Sequence, residues 1–295
     1  MRINKSWLGY TLYGLILTGV LLYYRFPSDA FREYLQTALN EADARVSISI
    51  TGVHPSFPLD LKLNQTEISL RDKPGTLLFR ADGIQLRPQL WSLIHRELKY
   101  AYSCHAYGGE LKGLINLKGF SVRGPIESIT EINNVRIGDY PYLRNLIGPH
   151  IEGNLGGKIT YNGEAESFMD GTSEAELKIT DGRLEYLKFD PLNFQSIEIK
   201  QMEIMMNLKN GIINLTRFEF KGDKFQGSLT GKITLRKEFV QSTMELKGSI
   251  QPSATYLKGI ARTKAAFEFI KKFIRKGRIS FSIYGTLKKP SIRFL

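Results

Sequence analysis

The sequence predicts a mainly β protein: an N-terminal transmembrane helix followed by a long, curled antiparallel β-sheet with a few short helices. Three observations carry this expectation. From Val46 onward, apolar residues recur at every second position almost to the C-terminus, the period of strands that bury one face. Ahead of that lies Ser6–Tyr24, a run of 19 residues without a charge. Finally, one strand is written three times: "YGGELKGLINL" at 107–117, "IEGNLGGKITY" at 151–161 and "FQGSLTGKITL" at 225–235. Each copy reads apolar-x-Gly-x-Leu-x-Gly-x-Ile-x-apolar.

The elements follow in order. Residues 1–5 form a short cytoplasmic stub. Residues 6–24 form the anchor, about 28 Å long as a helix at ~1.5 Å per residue, against a hydrocarbon core of ~30 Å. Trp7 and Tyr10 at one end, and Tyr23 and Tyr24 at the other, suit the two interfacial belts. The segment "LLYYRFP" lacks the small residues of a signal-peptide cleavage site, so the anchor is read as uncleaved. Arg2 and Lys5 precede the run, whereas Arg25 and Arg32 beyond it are offset by Asp29 and Glu33. That bias places the N-terminus in the cytoplasm and the rest of a single-pass inner-membrane protein in the periplasm.

Residues 25–44 form a juxtamembrane helix. Ser28 or Asp29 serves as its cap, and Phe31, Leu35, Ala38, Leu39 and Ala42 share one face. Residues 45–295 form a β-rich body without an evident internal boundary. Short helices are expected in "PQLWSLIHRE" and "DYPYLRNLIGP", with a last, basic amphipathic helix over 254–276. Asp181-Gly182, Asn210-Gly211 and Gly222-Asp223 provide turn chemistry between strands.

Alternate residues of a strand share a face, so each glycine copy has one face of apolar residues and glycine. Those faces hold Gly109, Leu111, Gly113 and Ile115; Gly153, Leu155, Gly157 and Ile159; and Gly227, Leu229, Gly231 and Ile233. In the third copy the opposite face is Gln226, Ser228, Thr230, Lys232 and Thr234, all polar. Such strands belong to antiparallel sheets with one dry and one wet face. Strand glycine permits bulges, coiling or close approach across the face. Two readings stay open. In one, the dry face packs on a core and the glycines make room for large neighbours. In the other, the sheet curls into a trough whose leucines and isoleucines contact an acyl chain. The copies are irregularly spaced, which argues against a strict solenoid.

The segment "ADGIQLRPQLWSLIHRELKYAYSCHAYGGELKG" and the tail "GRISFSIYGTLKKPSIRF" resemble AsmA-like proteins. The matching features are an x-A-x-G-I-x-L strand, a P-x-L-x-S-L-I helix, a returning strand ending in Gly-Gly-x-Leu-x-Gly, and a Gly-Thr-Leu turn before Pro290. With its anchor and length, the chain is similar to the GspN family, type II secretion system protein N, in its longer delta-proteobacterial and spirochaete form. The resemblance covers nearly the whole chain through diffuse patterning. It implies an inner-membrane accessory component of type II protein secretion, with a periplasmic β-groove for phospholipid or lipopolysaccharide acyl chains and other secretion components as partners. The alternative is an AsmA-like carrier or organiser of phospholipid between the two membranes, independent of secretion. Neither family supplies a catalytic motif to transfer.

The net charge of +12 favours an acidic partner. Eight Lys or Arg against one Glu fall between residues 258 and 278, more than half of that excess. Lys271, Lys272, Arg275 and Lys276 are the candidate contacts to a membrane or partner; the plainer reading is a solvated face on a helix that caps the sheet. Nucleic acid is not expected, for want of a binding motif and because the body lies outside the cytoplasm. No cofactor or metal is expected either: Cys104-His105 stands alone, with His54, His95 and His150 scattered singly. No Gly-x-Ser-x-Gly elbow, phosphate loop or His-Glu-x-x-His is present, and the chain is read as a non-enzyme. Met202, Met205 and Met206 read as gap-filling strand residues that would also suit an acyl groove.

Overall fold

The computed structural model describes residues 5–42, 46–56, 60–72, 75–118, 124–147, 151–164, 167–189, 192–236, 238–260 and 272–295. Strand is the dominant state of the described residues, so the mainly β class is met. The chain divides into two compact units, Met1–Arg87 and Pro88–Leu295. The first takes the opening strands of the body expected to run unbroken from residue 45.

In the first unit, helices α1 (Lys5–Tyr24) and α2 (Ser28–Ala42) precede strands β1 (Val46–Ser56), β2 (Asp60–Leu70) and β3 (Leu77–Pro88). Helix α1 forms where the uncharged run predicts it. Among the described residues, however, no helix is long and apolar enough to cross a membrane, so the transmembrane expectation lacks support here.

Helix α2 does two jobs. Its apolar side, Phe31, Leu35 and Leu39, packs on Ile50, Val53 and Leu63, of which Val53 is only 1 % exposed. Its polar side chains cap the outer edge of β1. Asn40 donates through Nδ2 to the Ile48 carbonyl (3.2 Å) and accepts the Ile48 N–H through Oδ1 (2.7 Å). Gln36 Oε1 accepts the Ile50 N–H at 3.4 Å, and Arg32 donates to the Thr51 carbonyl at 3.2 Å. One asparagine thus reproduces both bonds of a β-bridge and blunts an edge that would otherwise template aggregation. Asn40→Ala removes both bonds, at about 0.5–1.5 kcal/mol each. The expected result is a lower urea midpoint and faster aggregation by light scattering.

Asp60, 2 % exposed, opens β2 and is held by Arg87 and Gln85 from β3. Arg87 Nη2 reaches Asp60 Oδ2 at 2.8 Å and Nε reaches Oδ1 at 2.9 Å, a fork-to-fork pair. The Arg87 hydrogen bonds hold the Asp60 carboxyl below its ordinary value, against the opposing effect of burial. A depressed folded-state value contributes stability that is present above the unfolded value, about 3.9. That contribution is lost as pH falls through the lower folded value. Asp60→Asn is therefore expected to lower stability at pH 7, with the gap to the parent chain closing below about pH 4. Urea melts at several pH values read it directly.

The second unit is one antiparallel meander. Its strands are β4 (Glu97–Ala106), β5 (Gly109–Lys118), β6 (Pro125–Arg136), β7 (Ile151–Glu164), β8 (Thr172–Phe189) and β9 (Leu192–Lys209). They continue as β10 (Ile212–Gly222), β11 (Phe225–Thr234), β12 (Thr243–Pro252), β13 (Ile274–Arg275), β14 (Arg278–Thr286) and β15 (Pro290–Phe294). From β4 to β12 each strand pairs with the next; β12 then pairs with β14, whose far edge carries both β13 and β15. Short helices α3 (Pro141–Ile147) and α4 (Ala254–Ile260), with 3-10 turns such as Leu90–His95, accompany the sheet.

Three expectations need correction. The sheet is long but uncurled; the glycines expected to permit coiling are used instead for close packing and local bulges. Asp181-Gly182 is no turn: it lies inside the 18-residue β8, where two residues of β8 oppose the single Gly153 of β7. Asp181, at φ 54°, has the positive φ that both a hairpin turn and a bulge require, so the dipeptide did not distinguish them. The basic helix expected over 254–276 stops short of its expected end, and residues 261–271 lie outside the described residues. Helix α4 spans Ala254–Ile260, while Ile274–Arg275 is a strand paired with Arg278–Ile279. Lys276 (φ 52°) and Gly277 (φ 77°) close that hairpin with the two positive-φ residues of a tight turn.

Candidate functional site: one apolar sheet face

The register places all three glycine copies on the same face of the second unit. One row reads Tyr102, Gly113, Thr130, Ile159, Ala175, Met206, Leu215, Gly231, Leu246, Ile283 and Ile292, one residue from each strand of the path. The row beside it includes Tyr100, Ile115, Ser128, Tyr161, Ser173, Leu208, Ile213, Ile233 and Met244. Eleven strands at ~4.8 Å spacing make this apolar strip about 48 Å long.

The glycines are seats for the chain's own side chains. Tyr102 on β4 lies across Gly113 of β5 and shares a 2.5 Å hydrogen bond with Thr130 Oγ1 of β6, all three in one register row. A methyl group at Gly113 would come within 2.8 Å of that ring and collide with the Ile129 carbonyl. Phe220 takes the same place over Gly227. At Gly109 a side chain would meet the Asn133–Asn134 backbone, and at Gly153 the side chains of Ile179 and Ile137. Gly157 (φ 148°) and Gly231 (φ 144°) add a backbone demand: both have a positive φ open almost to glycine alone. Each sits beside a bulge, at Asn133-Asn134 of β6 and at Thr216 of β10 respectively.

Between the glycines, Leu111, Ile115, Leu155, Ile159, Leu229 and Ile233 are all half-buried, neither sealed nor bare. Leu229 and Ile233 lean on a small cluster of Leu215, Met244 and Leu246. Met202, Met205 and Met206 are half-buried in β9. Among the described residues no second sheet covers this face, though Tyr256 of α4 packs on Phe225 and Phe168 stacks on Tyr161. The first unit differs, because α2 closes its core.

The basic candidates separate. Lys271 lies outside the described residues. Lys272 is exposed, with its ammonium 5.4 Å from the Phe273 ring centroid, while Arg275 and Lys276 are exposed on the β13–β14 hairpin. Cys104, 5 % exposed, faces Leu111 on the apolar side. Among the described residues no group of three or more His, Cys, Asp or Glu is placed to hold a metal.

Sequence reasoning missed a concavity of about 600 Å³ on the unit's other side, where Leu114 and Ile129 stand exposed side by side. The carboxylate there, Glu127, is held by Lys118 (2.6 Å) and Asn116 (3.2 Å). Leu114 and Ile129, apolar residues at wet-face positions, were the available signal.

Fold and face together define the class of the second unit: a long antiparallel meander with one apolar face, on which buried residues such as Ala175 and Leu246 alternate with half-buried ones. Comparison with family models, curated proteins and solved structures finds no significant match to the chain.

Proposed function

We propose that this chain is an AsmA-like protein, held at the inner membrane by α1, that receives lipid acyl chains on the apolar face of its second unit as an accessory to type II protein secretion. One observation supports the acyl-chain reading above the others. The leucines and isoleucines of the glycine copies are half-exposed on a strip that no second sheet covers among the described residues. An apolar surface of that extent normally marks an interaction site. The membrane part is supported by α1, which exposes Tyr10, Tyr13, Leu17, Val20, Leu21, Tyr23 and Tyr24, apolar residues that need a non-aqueous setting. The secretion part rests on the sequence resemblance.

A second reading, phospholipid carriage between membranes independent of secretion, is favoured by the length of the strip. At about 48 Å it exceeds the ~15 Å depth of one leaflet, so it suits a path better than a pocket for one chain.

A photo-crosslinking amino acid at Leu155 or Leu229 in cell membranes tests the acyl-chain reading. Adducts with phospholipid are expected; adducts confined to the protein's own chain would show the face to be shut. Deleting the gene then separates the two roles. Loss of secreted substrate with unchanged outer-membrane lipid favours the accessory, and the reverse favours the carrier.

A further inference from the structure

An antiparallel meander sends its connections alternately to the two ends of the sheet, so turns four strands apart share an end. Three 3-10 turns of the second unit stand in that relation: Leu90–His95 before β4, Phe168–Asp170 between β7 and β8, and Phe239–Gln241 between β11 and β12. All three hold large apolar side chains out to solvent. The first exposes Leu90, Trp91, Leu93 and Ile94, with Trp91 82 % and Ile94 70 % exposed. The second exposes Phe168 at 61 %, although its ring stacks on Tyr161, and the third exposes Phe239 and Val240. Among the described residues, no turn at the other end of this sheet exposes a large apolar side chain.

Hydrogen bonds fix these turns in place. Ser92 is buried at the base of the first, where its hydroxyl donates to the Gln89 carbonyl (2.7 Å) and accepts the Lys99 N–H (3.2 Å). Ser242, fully buried, serves the third likewise. It accepts the Arg236 N–H through Oγ (3.1 Å) and the Leu287 N–H through its carbonyl (3.0 Å). Main-chain bonds then run along this end: Gly211 N–H to the Met169 carbonyl (2.8 Å), Leu235 N–H to that of Gly211 (2.7 Å), and Lys288 N–H to that of Val240 (2.9 Å). At ~4.8 Å per strand the first and third turns stand about 38 Å apart. Exposed Arg96, Lys209, Arg236, Lys288 and Lys289 lie among them, against exposed Glu164, Asp170 and Glu238.

We infer that this end of the sheet docks on the surface of a lipid bilayer, the three turns entering the headgroup layer and the flanking cations meeting anionic headgroups. Tryptophan beside aliphatic and cationic residues is the make-up of an interfacial contact, which buries its apolar side chains ~5–10 Å deep. The turns also keep backbone groups bonded internally, as a bilayer demands. Arg96 N–H donates to the Leu93 carbonyl (3.1 Å) and Ser242 N–H to that of Phe239 (3.0 Å). A protein partner fits less well, because a stable protein interface has one close-packed apolar centre. Here successive tips stand about 19 Å apart, with polar residues such as Lys209 and Asn210 between them, a spacing that a fluid surface accepts. This inference stands apart from the acyl-chain reading, since it uses the turns at the end of the sheet and not its face.

Trp7→Phe leaves Trp91 as the sole tryptophan of the full chain, which is reconstituted in vesicles of phosphatidylethanolamine and phosphatidylglycerol. Lipids with brominated acyl chains are placed in the host vesicles or in added protein-free ones, so that docking on either bilayer is read. In one of these arrangements Trp91 emission is expected to fall roughly twofold, as suits a ring ~5–10 Å into the interface, and iodide should no longer reach it. Phe239→Ser with Val240→Ser changes only exposed side chains, so the fold is retained, and it should remove most of that quenching from the far end of the rim. Quenching left intact in this variant would confine the contact to the first turn and overturn the rim. Trp91 quenched by iodide and not by bromine would leave this end in water; Trp91 shielded from both would place it against protein. Either result overturns the inference, and equal quenching in neutral phosphatidylcholine vesicles would strike out the role of the cations. Lipid adducts at Leu155 are read separately, so this inference and the acyl-chain reading can fail independently.

Discussion

Gly157→Val is expected to destabilise the second unit by about 3–5 kcal/mol, combining backbone strain with overpacking. Gly157 has φ 148°, and a Cβ there would collide with the Glu176 carbonyl and press on Leu177. Neither obstacle is a flexible side-chain end, so the strand cannot yield cheaply. The measurement is a urea melt followed by circular dichroism; a variant within 1 kcal/mol of the parent, on the scale of ordinary surface changes, would show that the glycine is not required. Gly231 meets the same conditions, with φ 144° and the Glu245 carbonyl in the way of a Cβ. Gly231→Phe, which looks from the sequence like a way to block a trough, is therefore expected to disrupt β11 and β12 before it obstructs a ligand. Leu155 and Leu229 are the sounder probe sites, because their side chains already lie half-exposed on the face.

Tyr161→Ala is the second large effect, about 3–5 kcal/mol for deletion of a buried aromatic side chain. Tyr161 is 6 % exposed, and its ring stacks on Phe168 at 4.2 Å between centroids. It also fills the space above Gly163 and Gly171. Its hydroxyl donates to the Phe168 and Glu164 carbonyls at 3.2 and 3.3 Å, tying the 3-10 turn Phe168–Asp170 to β7. Burial raises the phenol above its ordinary value, which keeps it a neutral donor. Tyr161→Phe keeps the ring and the stacking and should cost only about 1 kcal/mol. Similar losses for the two variants would place the stabilisation in the hydroxyl and not in packing.

Much of the fold was legible because its signals are local. The two-residue period marked the strands, and Asn210-Gly211 marked a true turn, with φ values of 50° and 72°. The face of α2 could be read from Phe31, Leu35 and Leu39. What failed were the signals with two structural uses. Asp181-Gly182 serves a bulge as well as a turn, and residues 274–276, expected to close a helix, form a short strand and turn instead. Tyr107, counted with the first copy's dry face, sits instead in the β4–β5 hairpin at φ 52°.

Alternation assigned a dry face to each glycine copy, and composition placed nearly all the net charge in the last fifty residues. The sequence by itself determined those two properties, for the period of a strand and the charge of a side chain belong to the chain alone. Only the tertiary structure decided that the three dry faces join in one strip, because cross-strand register is a relation between segments distant in sequence. It decided, too, what the glycines accommodate. Tyr102 reaches over Gly113 to Thr130 because pairing brings three strands into one row, and the room left by a missing side chain is taken by the protein's own ring.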